Sequence, residues 1–295
     1  MKEKRRNKVI SFFLLIFFVI VTLFLFTPIV YMLLNSFKSA KEIDVDYGSI
    51  FDMTAKINND YAKFKILPKI FSFKQYYDVF FTNPEFFYKF WNSCILVFPT
   101  FIGALFVSVL SGYGFAKFEF SNKRKIFLIY VFVMLLPYQI TMFPNYIMMN
   151  KFGLINTRLS IIIPLIFSPL GTVMMYYFIK KIPSEIIESA RIDGASELVI
   201  LFKIIVPLIL QGIATFSVLY IIELWYMIEY PKVFLENENL YPLSLVLGQF
   251  NQETIGYSFV CCVIFMTPIL IIFLLCKDAI VEKITDCFDI DREKK

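Results

Sequence analysis

The sequence contains no histidine, and only 18% of its 295 residues are charged. A soluble globular domain carries about 25% charged residues. Without an imidazole the chain cannot hold a Ser–His–Asp triad, a histidine zinc site or a histidine proton relay. It also lacks a Walker A sequence, so a chain that acts with ATP would need another subunit to hydrolyse it.

Hydrophobic residues are abundant instead. They form 58% of the chain, including 36 Phe, and the mean hydropathy is +0.69. Soluble domains average roughly 45–50% apolar residues. The composition excludes a disordered chain and predicts a polytopic protein of the lipid bilayer.

The net charge of +5 is spread between apolar runs, which does not indicate a nucleic-acid partner. The cysteines form no C-x-x-C pair, and four lie in or beside apolar runs. This spacing predicts small buried side chains and no metal site. The five are Cys94, Cys261, Cys262, Cys276 and Cys287.

Six stretches reach the roughly 20 mostly apolar residues that a membrane helix needs. They predict an all-α protein with six transmembrane helices in a single domain of residues 1–295. Prolines interrupt several of them, which membrane helices tolerate when neighbours satisfy the freed carbonyls. The expected spans are 9–34, 92–116, 126–149, 159–179, 204–228 and 256–276.

Basic residues predict the orientation of these spans. Lys and Arg are concentrated in the N-terminus, in residues 117–125, in loop 180–203 and in the tail from Lys277. The long loop 35–91 mixes eight lysines with seven acids, and long loops count little. Loop 35–91 is therefore expected outside, with both termini and loop 180–203 in the cytoplasm. The first span is too long for a signal peptide, and no clear cleavage site follows it.

Loop 180–203 holds the most informative pattern, which predicts two short helices with a break between them. Pro183 suits a first turn, where acids such as Glu185 and Glu188 are also favoured. Asp193-Gly194 predicts the break, because glycine readily adopts a left-handed conformation, and Ser196 can cap the next helix. Such an elbow permits close packing against a partner, but an amphipathic loop without a partner fits equally well.

Residues 188–190, 193–196 and 207–208 closely resemble the EAA loop of ABC-importer permeases. The family pattern reads E-A-A, then three residues to a Gly, then a stretch that ends in I-x-L-P. Ser189 replaces the middle alanine and Val206 replaces the leucine, while the rest of the spacing stands.

Other segments resemble the sugar-transporting branch, in particular its maltose-type second permease subunit. The resemblance covers nearly the whole chain. The segments are 35–38 (NSFK), 92–93 (NS), 112–117 (GYGFAK), Pro137, Gln139, Pro144, 153–157 (GLINT), Trp225 with Pro231, and 241–243 (YPL).

The resemblance implies a type I ABC-importer permease (MetI-like) fold. It implies a permease subunit of an ATP-driven, binding-protein-dependent importer of sugars or related polyols in the bacterial cell membrane. A second permease would complete a heterodimer, a cytoplasmic ABC ATPase dimer would bind ATP and Mg, and an extracytoplasmic protein would deliver the solute. The chain itself would bind no cofactor and would not be an enzyme.

The resemblance also implies that five residues of the loop couple the permease to the ATPase. We expect the Glu188 carboxylate to meet a basic group of the ATPase, since charge-assisted contacts are strong. Gly194 would supply the turn, and two alanines would permit close approach. The positions are Glu188, Ala190, Asp193, Gly194 and Ala195.

The chain departs from the family near the fifth span, where Tyr226 replaces the Asn that usually follows Trp225. Two acids, Glu223 and Glu229, bracket this segment. An acid in a span indicates a functional site by default, although both acids could lie at the interface and reach water. The candidate pathway residues are Tyr138, Gln139, Asn145, Glu223, Trp225 and Tyr226.

Two further departures concern the loops. An extra external segment, 44–65, precedes the family pattern, and the usual Gly-rich C-terminal ending is replaced by a mixed-charge tail. An ion-coupled secondary transporter that works without an ATPase is the alternative interpretation. Such transporters often have inverted repeats and intramembrane acids, but this sequence has no repeat and only Glu223 approaches an intramembrane acid. An intramembrane protease would need histidines or two aspartates within spans, and none are present.

Overall fold

The computed structural model describes residues 2–50, 63, 65–82, 84–247 and 255–293, with backbone only for 2–9 and 279–293. Every regular element among them is helical, as predicted. Single turns of 3₁₀ or π helix occupy Gly48–Ile50, Asp78–Thr82, Leu201–Ile205 and Glu238–Leu240. The α-helices are α1 (Lys2–Ser36), α2 (Ala40–Tyr47), α3 (Lys74–Tyr77), α4 (Pro84–Lys117), α5 (Lys123–Leu135), α6 (Tyr138–Lys151), α7 (Leu159–Ile166), α8 (Pro169–Lys180), α9 (Ser184–Ile192), α10 (Glu197–Ile200), α11 (Val206–Leu208), α12 (Leu210–Trp225), α13 (Glu229–Phe234), α14 (Leu243–Val246) and α15 (Ile255–Glu293).

Four stretches of the described chain are long and apolar enough to cross a membrane: Ile10–Ser36, Pro84–Lys117, Leu159–Lys180 and Ile255–Asp278. Two further helix pairs pass the same test but are sharply bent. Helices α5 and α6 meet at 105°, and the stretch Glu197–Leu208 meets α12 at 76°. The six predicted spans thus correspond to four long stretches and two bent pairs.

The first bend follows from Pro137. Proline disfavours the helical region for the residue before it, and Leu136 accordingly has extended backbone angles of φ −70° and ψ 136°. Pro144, which the sequence also marks as an interruption, lies inside α6 and does not end it. The second bend centres on Ile209, with φ −107° and ψ 17°, and the sequence gives no comparable signal for it.

One compact unit comprises Met1–Phe87 with Leu247–Met266. A buried ion pair lies in its loop 35–91: Lys38 Nζ lies 3.0 Å from Asp46 Oδ2, and both side chains are fully buried. Lys65 Nζ approaches Asp46 Oδ1 at 2.9 Å, while Lys38 also donates to the Lys65 carbonyl at 2.8 Å. Asp46 and Lys65, near the two ends of the extra segment 44–65, therefore both contact Lys38. Residues 51–62 and 64 of this segment lie outside the described residues.

We predict that Asp46→Ala destabilises loop 35–91 by about 3–5 kcal/mol, because it leaves the Lys38 ammonium buried without its carboxylate. The double variant Lys38→Met/Asp46→Leu should recover most of the loss, since it removes both buried charges. Limited proteolysis of loop 35–91 in the intact protein would measure both effects. Equal sensitivity of the single and double variants would contradict the assignment.

The same ion pair predicts a pH dependence. Burial alone would raise the pKa of Asp46, but the hydrogen bonds from Lys65 and Lys38 outweigh it and hold the pKa below the ordinary value of 3.8. The contribution of Asp46 to stability is therefore present above pH 3.8 and is lost as the pH falls through the lower folded-state pKa. Proteolysis of loop 35–91 should accelerate only in that acidic range.

The other unit comprises Tyr88–Val246 with Thr267–Lys295. Glycines bring three of its helices into close contact. A Cβ on Gly112 of α4 would lie 2.6 Å from Met175 Cβ of α8, and one on Gly171 of α8 would lie 2.8 Å from the Phe216 ring of α12. A Cβ on Gly212 of α12 would lie 2.6 Å from the Phe178 ring of α8. Small residues permit such packing in lipid, where helices gain nothing from the hydrophobic effect.

Pro169 creates a break between α7 and α8 within this unit. It has no N–H to donate to the Leu165 carbonyl, four residues earlier. The Tyr220 hydroxyl of α12 donates a hydrogen bond to that carbonyl instead. Ser168 caps α8 by accepting from the Gly171 N–H at 3.1 Å. These two bonds satisfy a carbonyl and an N–H that the break leaves without a partner in a helix, as membrane helices with proline require.

The glycine contacts predict opposite effects for two matched substitutions on α4. Gly112→Ala should destabilise the protein by about 1–3 kcal/mol through overpacking. Gly114→Ala should be neutral or stabilise by up to ~1 kcal/mol, since a Cβ there meets nothing within 4 Å and alanine favours helix. Thermal unfolding midpoints in detergent would compare them, and equal midpoints would contradict this packing.

Candidate functional site

Loop 180–203 forms the predicted elbow. Helix α9 ends at Ile192, and Gly194 takes φ +83°. The Gly194 N–H donates to the Arg191 carbonyl, and the Ala195 N–H donates to the Ala190 carbonyl, each at 3.0 Å. These two bonds complete a Schellman motif, which satisfies the last carbonyls of a helix only when the residue after the cap is left-handed. Gly194 therefore fixes the angle at which the chain leaves α9.

Three side chains that sequence reasoning missed hold this elbow. Arg191 Nε donates to Glu197 Oε1 at 2.7 Å, which bridges the turn from α9 to α10. The Tyr113 hydroxyl, near the end of α4, donates to Glu197 Oε2 at 2.5 Å. Ser196 occupies the cap position of α10, but its hydroxyl makes no capping bond, contrary to expectation.

Helix α4 also holds the entrance to the loop. Lys117 Nζ donates to the Ile182 carbonyl at 2.6 Å, just before Pro183 begins the turn into α9. Pro183 is the N-cap residue of α9, whose first turn begins at Ser184. It therefore lies one position before the first turn in which the sequence predicted it. Tyr113 and Lys117 belong to the GYGFAK segment, so these two contacts give that segment a structural role.

The five candidate coupling residues divide by exposure. Glu188, Asp193 and Gly194 are exposed, and Ala195 is half-buried. Among the described residues, no side chain pairs with the Glu188 carboxylate. Ala190 is only 8% exposed, so the close approach that it permits here is to its own chain.

Two large apolar side chains flank the elbow on the surface. Ile192 is 86% exposed and Leu198 is 63% exposed. Glu188, which no described side chain pairs with, therefore shares the surface of the elbow with the exposed side chains of Ile192 and Leu198. Carboxylates and apolar groups together can bind a surface that offers a basic residue beside a hydrophobic pocket.

The pathway candidates on α6 lie near the first bend. Tyr138 and Gln139 begin α6 directly after Pro137 and are exposed, while Asn145 is half-buried. Tyr138 lies within hydrogen-bonding reach of Glu229 at the start of α13. Hydrogen bonds from its own N–H and from the Tyr138 hydroxyl hold the pKa of the Glu229 carboxyl below its ordinary value.

The candidates near the end of α12 separate onto different faces. Glu223 is exposed and Tyr226 is 56% exposed, but Trp225 is 1% exposed and packs edge-on against Phe90 at 5.8 Å. Residues two apart on a helix point about 200° apart, so Glu223 and Trp225 cannot line one surface. Trp225 therefore packs inside the unit, away from the exposed side of α12.

Several segments of the resemblance contact one another. Asn92 Nδ2 donates to the carbonyls of Asn239 at 2.6 Å and Tyr241 at 3.2 Å. Ser93 Oγ accepts from the Leu243 N–H at 2.9 Å. The NS pair at the predicted start of the second span therefore anchors the YPL segment, so both are parts of the scaffold.

The GLINT segment (153–157) is also held by hydrogen bonds to a distant part of the chain, residues 234–237. Asn156, with φ +62°, accepts on its side-chain oxygen from the N–H groups of Glu236 at 3.1 Å and Asn237 at 2.9 Å. Its own N–H donates to the Phe234 carbonyl at 2.9 Å. Asparagine tolerates the left-handed region better than most residues, which accounts for its place in this turn.

Several apolar helices that are long enough to cross a membrane define a polytopic membrane protein. Residues 87–286 match the family described as "Binding-protein-dependent transport system inner membrane component". The chain belongs to this family, and it is therefore a transport permease and not itself an enzyme. The family and the apolar helices together make it a multi-pass protein of the inner membrane.

Curated relatives extend the comparison. The chain is 27% identical to the arabinooligosaccharides transport system permease protein AraQ of Bacillus subtilis, over 88% of this chain and 89% of that protein. It is 29% identical to the polygalacturonan/rhamnogalacturonan transport system permease protein YtcP of the same organism, over 84% and 79%. It is 30% identical to a probable ABC transporter permease protein of Pyrococcus horikoshii, over 63% and 70%.

A solved structure has the same fold. A chain of a bacterial ABC transporter involved in the import of the acidic polysaccharide alginate superposes with a TM-score of 0.76. The match covers 93% of this chain and 97% of that chain at 21% sequence identity. The fold is therefore that of an ABC-importer permease, as the resemblance implied.

The Schellman motif predicts that Gly194 tolerates few replacements. Gly194→Val should accelerate hydrogen exchange of the Ala195 N–H by about 5–30-fold, because a left-handed side-chain residue costs about 1–2 kcal/mol. Gly194→Asn should change the exchange rate much less, since asparagine enters this region more readily. Hydrogen exchange measured by mass spectrometry on peptides from the elbow would separate the two variants. Similar exchange in both would rule out a conformational role for this glycine.

Proposed function

We propose that this chain is the permease subunit of an ATP-driven sugar importer, coupled to a separate ATPase through the elbow of loop 180–203. Residues 1–295 act as one permease domain with both termini in the cytoplasm. A second permease completes the translocation pathway, and an extracytoplasmic binding protein delivers the solute. The observation that carries this proposal is the elbow, whose backbone is fixed while its acid and its apolar side chains are exposed.

The elbow has the chemistry of a docking surface for a cytoplasmic ATPase pair. Burial of Ile192 and Leu198 against a partner would stabilise the complex by about 25 cal/mol per Å² of apolar area covered. The unpaired Glu188 carboxylate can accept a bidentate bond from an arginine of the partner. Asp193 at the turn adds a second exposed acid. Glu188, Ala190, Asp193, Gly194 and Ala195 remain our proposed coupling positions.

ATP and Mg belong to the ATPase in this proposal. The sequence has no Walker A motif, and its loop carries acids where a nucleotide-phosphate site would need a glycine-rich loop with a lysine. We therefore assign no cofactor to this chain. Its contribution is mechanical, since closure of the ATPase pair would move the elbow and the helices joined to it.

A carbohydrate is the proposed cargo class. The named relatives are permease proteins of an arabinooligosaccharides transport system and a polygalacturonan/rhamnogalacturonan transport system, which supports a sugar or related polyol. The exposed Tyr138, Gln139 and Tyr226 suit such a solute, because aromatic faces and amides match its C–H faces and hydroxyls.

Charge reversal at Glu188 tests the coupling. Glu188→Lys should abolish co-purification of the ATPase and reduce ATP-driven uptake by at least tenfold, because it places a cation against the basic group of the partner. Glu188→Gln should keep part of both, since it retains a hydrogen-bond acceptor. Pull-down from solubilised membranes and uptake into proteoliposomes of the full complex would measure the two.

Glu119→Lys is the matched control. It makes the same charge change at an acid that is exposed in the other predicted cytoplasmic loop and pairs only with Lys123 on the surface. It should leave both measurements near wild type. Intact co-purification and uptake in Glu188→Lys, or uptake by this chain alone under an ion gradient, would overturn the proposal.

A further inference from the structure

Helix α12 is more polar on its outward side than on the side that packs within its own unit. Its buried side is mostly apolar and includes Gly212, Phe216, Val218, Tyr220, Ile221, Leu224 and Trp225. The outward side is exposed or half-buried and covers an arc of about 120° at 100° per residue. It holds Gln211, Thr215, Leu219, Ile222, Glu223 and Tyr226, the last directly after the helix. We call Gln211, Thr215, Glu223 and Tyr226 the polar arc.

The lipid-exposed helices of this chain show the opposite pattern. Within Ile10–Ser36, none of the most apolar 18-residue window is buried, and its exposed side chains are nearly all Phe, Leu, Ile and Val. The hydroxyls of Thr22 and Thr27 there bond to the carbonyls of Phe18 and Leu23, which removes their polarity from the surface. The polar arc is therefore unlike the surface that this chain presents to lipid.

Glu223 is the group that lipid could least accept. It is exposed on α12, and no described side chain pairs with its carboxylate. Ionisable side chains inside membranes face a water-filled cavity or a partner group, because hydrocarbon offers them neither hydration nor counter-charge. Thr215 and Gln211 lie two and three turns before it on the same side of α12. The polar groups therefore occupy the two ends of the outward side, with Leu219 and Ile222 between them.

We infer that the polar arc of α12 lines the water-filled solute pathway and that Glu223 makes this pathway select neutral polyhydroxylated solutes over anionic ones. This inference rests on the proposed function, which it deepens by naming a class of sugar. Uncharged oligosaccharides and polyols would pass, and sugars that carry a carboxylate would be disfavoured.

The chemistry of the arc fits that class. The Gln211 amide donates and accepts hydrogen bonds, and a carboxylate such as Glu223 can accept from two sugar hydroxyls. The Thr215 hydroxyl donates to the Gln211 carbonyl at 2.8 Å, which leaves its lone pairs to accept. Tyr226 offers an aromatic face to the C–H side of a pyranose ring.

A charged sugar would meet no counter-ion on this helix. Helix α12 contains no Lys or Arg, and the neighbouring basic residues along the chain are Lys203 and Lys232. A uronate carboxylate beside Glu223 would face like-charge repulsion without a guanidinium to pair with. Juxtaposed like charges are a recognised means of rejecting a wrong ligand.

Charged thiol reagents test both parts of the inference without knowledge of the cargo. Single cysteines would replace Thr215 or Tyr226 in a chain whose five native cysteines are serine, within the full complex in membrane vesicles. Reaction rates would be measured with a cationic trimethylammonium and an anionic sulfonate methanethiosulfonate, each normalised to its rate with free thiol. Leu25→Cys, on an exposed position of α1, is the lipid-facing control.

We expect both arc cysteines to react and Leu25→Cys to remain unmodified. At Tyr226→Cys the cationic reagent should react about tenfold faster than the anionic one, since a carboxylate about 6 Å away in water changes each rate about threefold in opposite directions. Adding Glu223→Gln should bring the ratio close to one. Adding Glu229→Gln instead should leave most of the preference in place.

Three results would overturn the inference. The first is that the cysteines at both arc positions are unreactive, which would place the arc against lipid or a second permease. The second is that Leu25→Cys reacts at a rate similar to theirs. The third is a charge preference that Glu223→Gln does not change. Failure of the proposed function is distinguishable, because it appears as uptake that needs no ATPase while the arc cysteines still react. An inaccessible arc in a complex that retains ATP-driven uptake would remove only the further inference.

Discussion

The close contact of α4, α8 and α12 at glycine positions is the constraint on which the rest of this permease depends. In lipid, helices associate through van der Waals packing and hydrogen bonds, because the solvent is as apolar as their side chains. Gly112, Gly171 and Gly212 let the three helices approach to distances that a single methyl group would prevent. Ser111 and Thr172 add a hydroxyl contact of 2.8 Å at the same seam. Within the same unit, the elbow and the break between α7 and α8 are held by contacts with these helices.

That seam reaches the elbow through the end of α4. Tyr113 follows Gly112 directly and bonds to Glu197 beyond the elbow, while Lys117 bonds to the Ile182 carbonyl before it. One helix therefore holds both ends of loop 180–203, and Arg191 closes the loop across the turn through Glu197. A force applied at the elbow would be carried into α4 and from there into its glycine contact with α8. The contacts are those of the structure. We propose the movement that they would transmit.

The features that the sequence predicted well are local ones. The break at Gly194 follows from a glycine after a short amphipathic helix, and the bend at Pro137 follows from the chemistry of proline. The contacts that no local pattern could predict join residues far apart in the chain, such as Tyr113 with Glu197 or Lys38 with Asp46 and Lys65. The burial of Trp225 could not be predicted for a related reason. Its resemblance to a family position indicated importance, but only the packing of α12 shows which of its sides faces inward.

In our proposal, the two sides of α12 connect coupling to transport. Its buried side carries Gly212 and Tyr220, which fix it against α8 and the break after α7. Its N-terminal end is joined to the elbow through the π turn Leu201–Ile205, α11 and the bend at Ile209. Any displacement of the elbow must therefore act on α12 through a short stretch of covalent chain. Since the outward side carries Glu223 and the rest of the polar arc, the same displacement would change how that charge is presented to a solute. Energy input and charge selection would then meet in one helix.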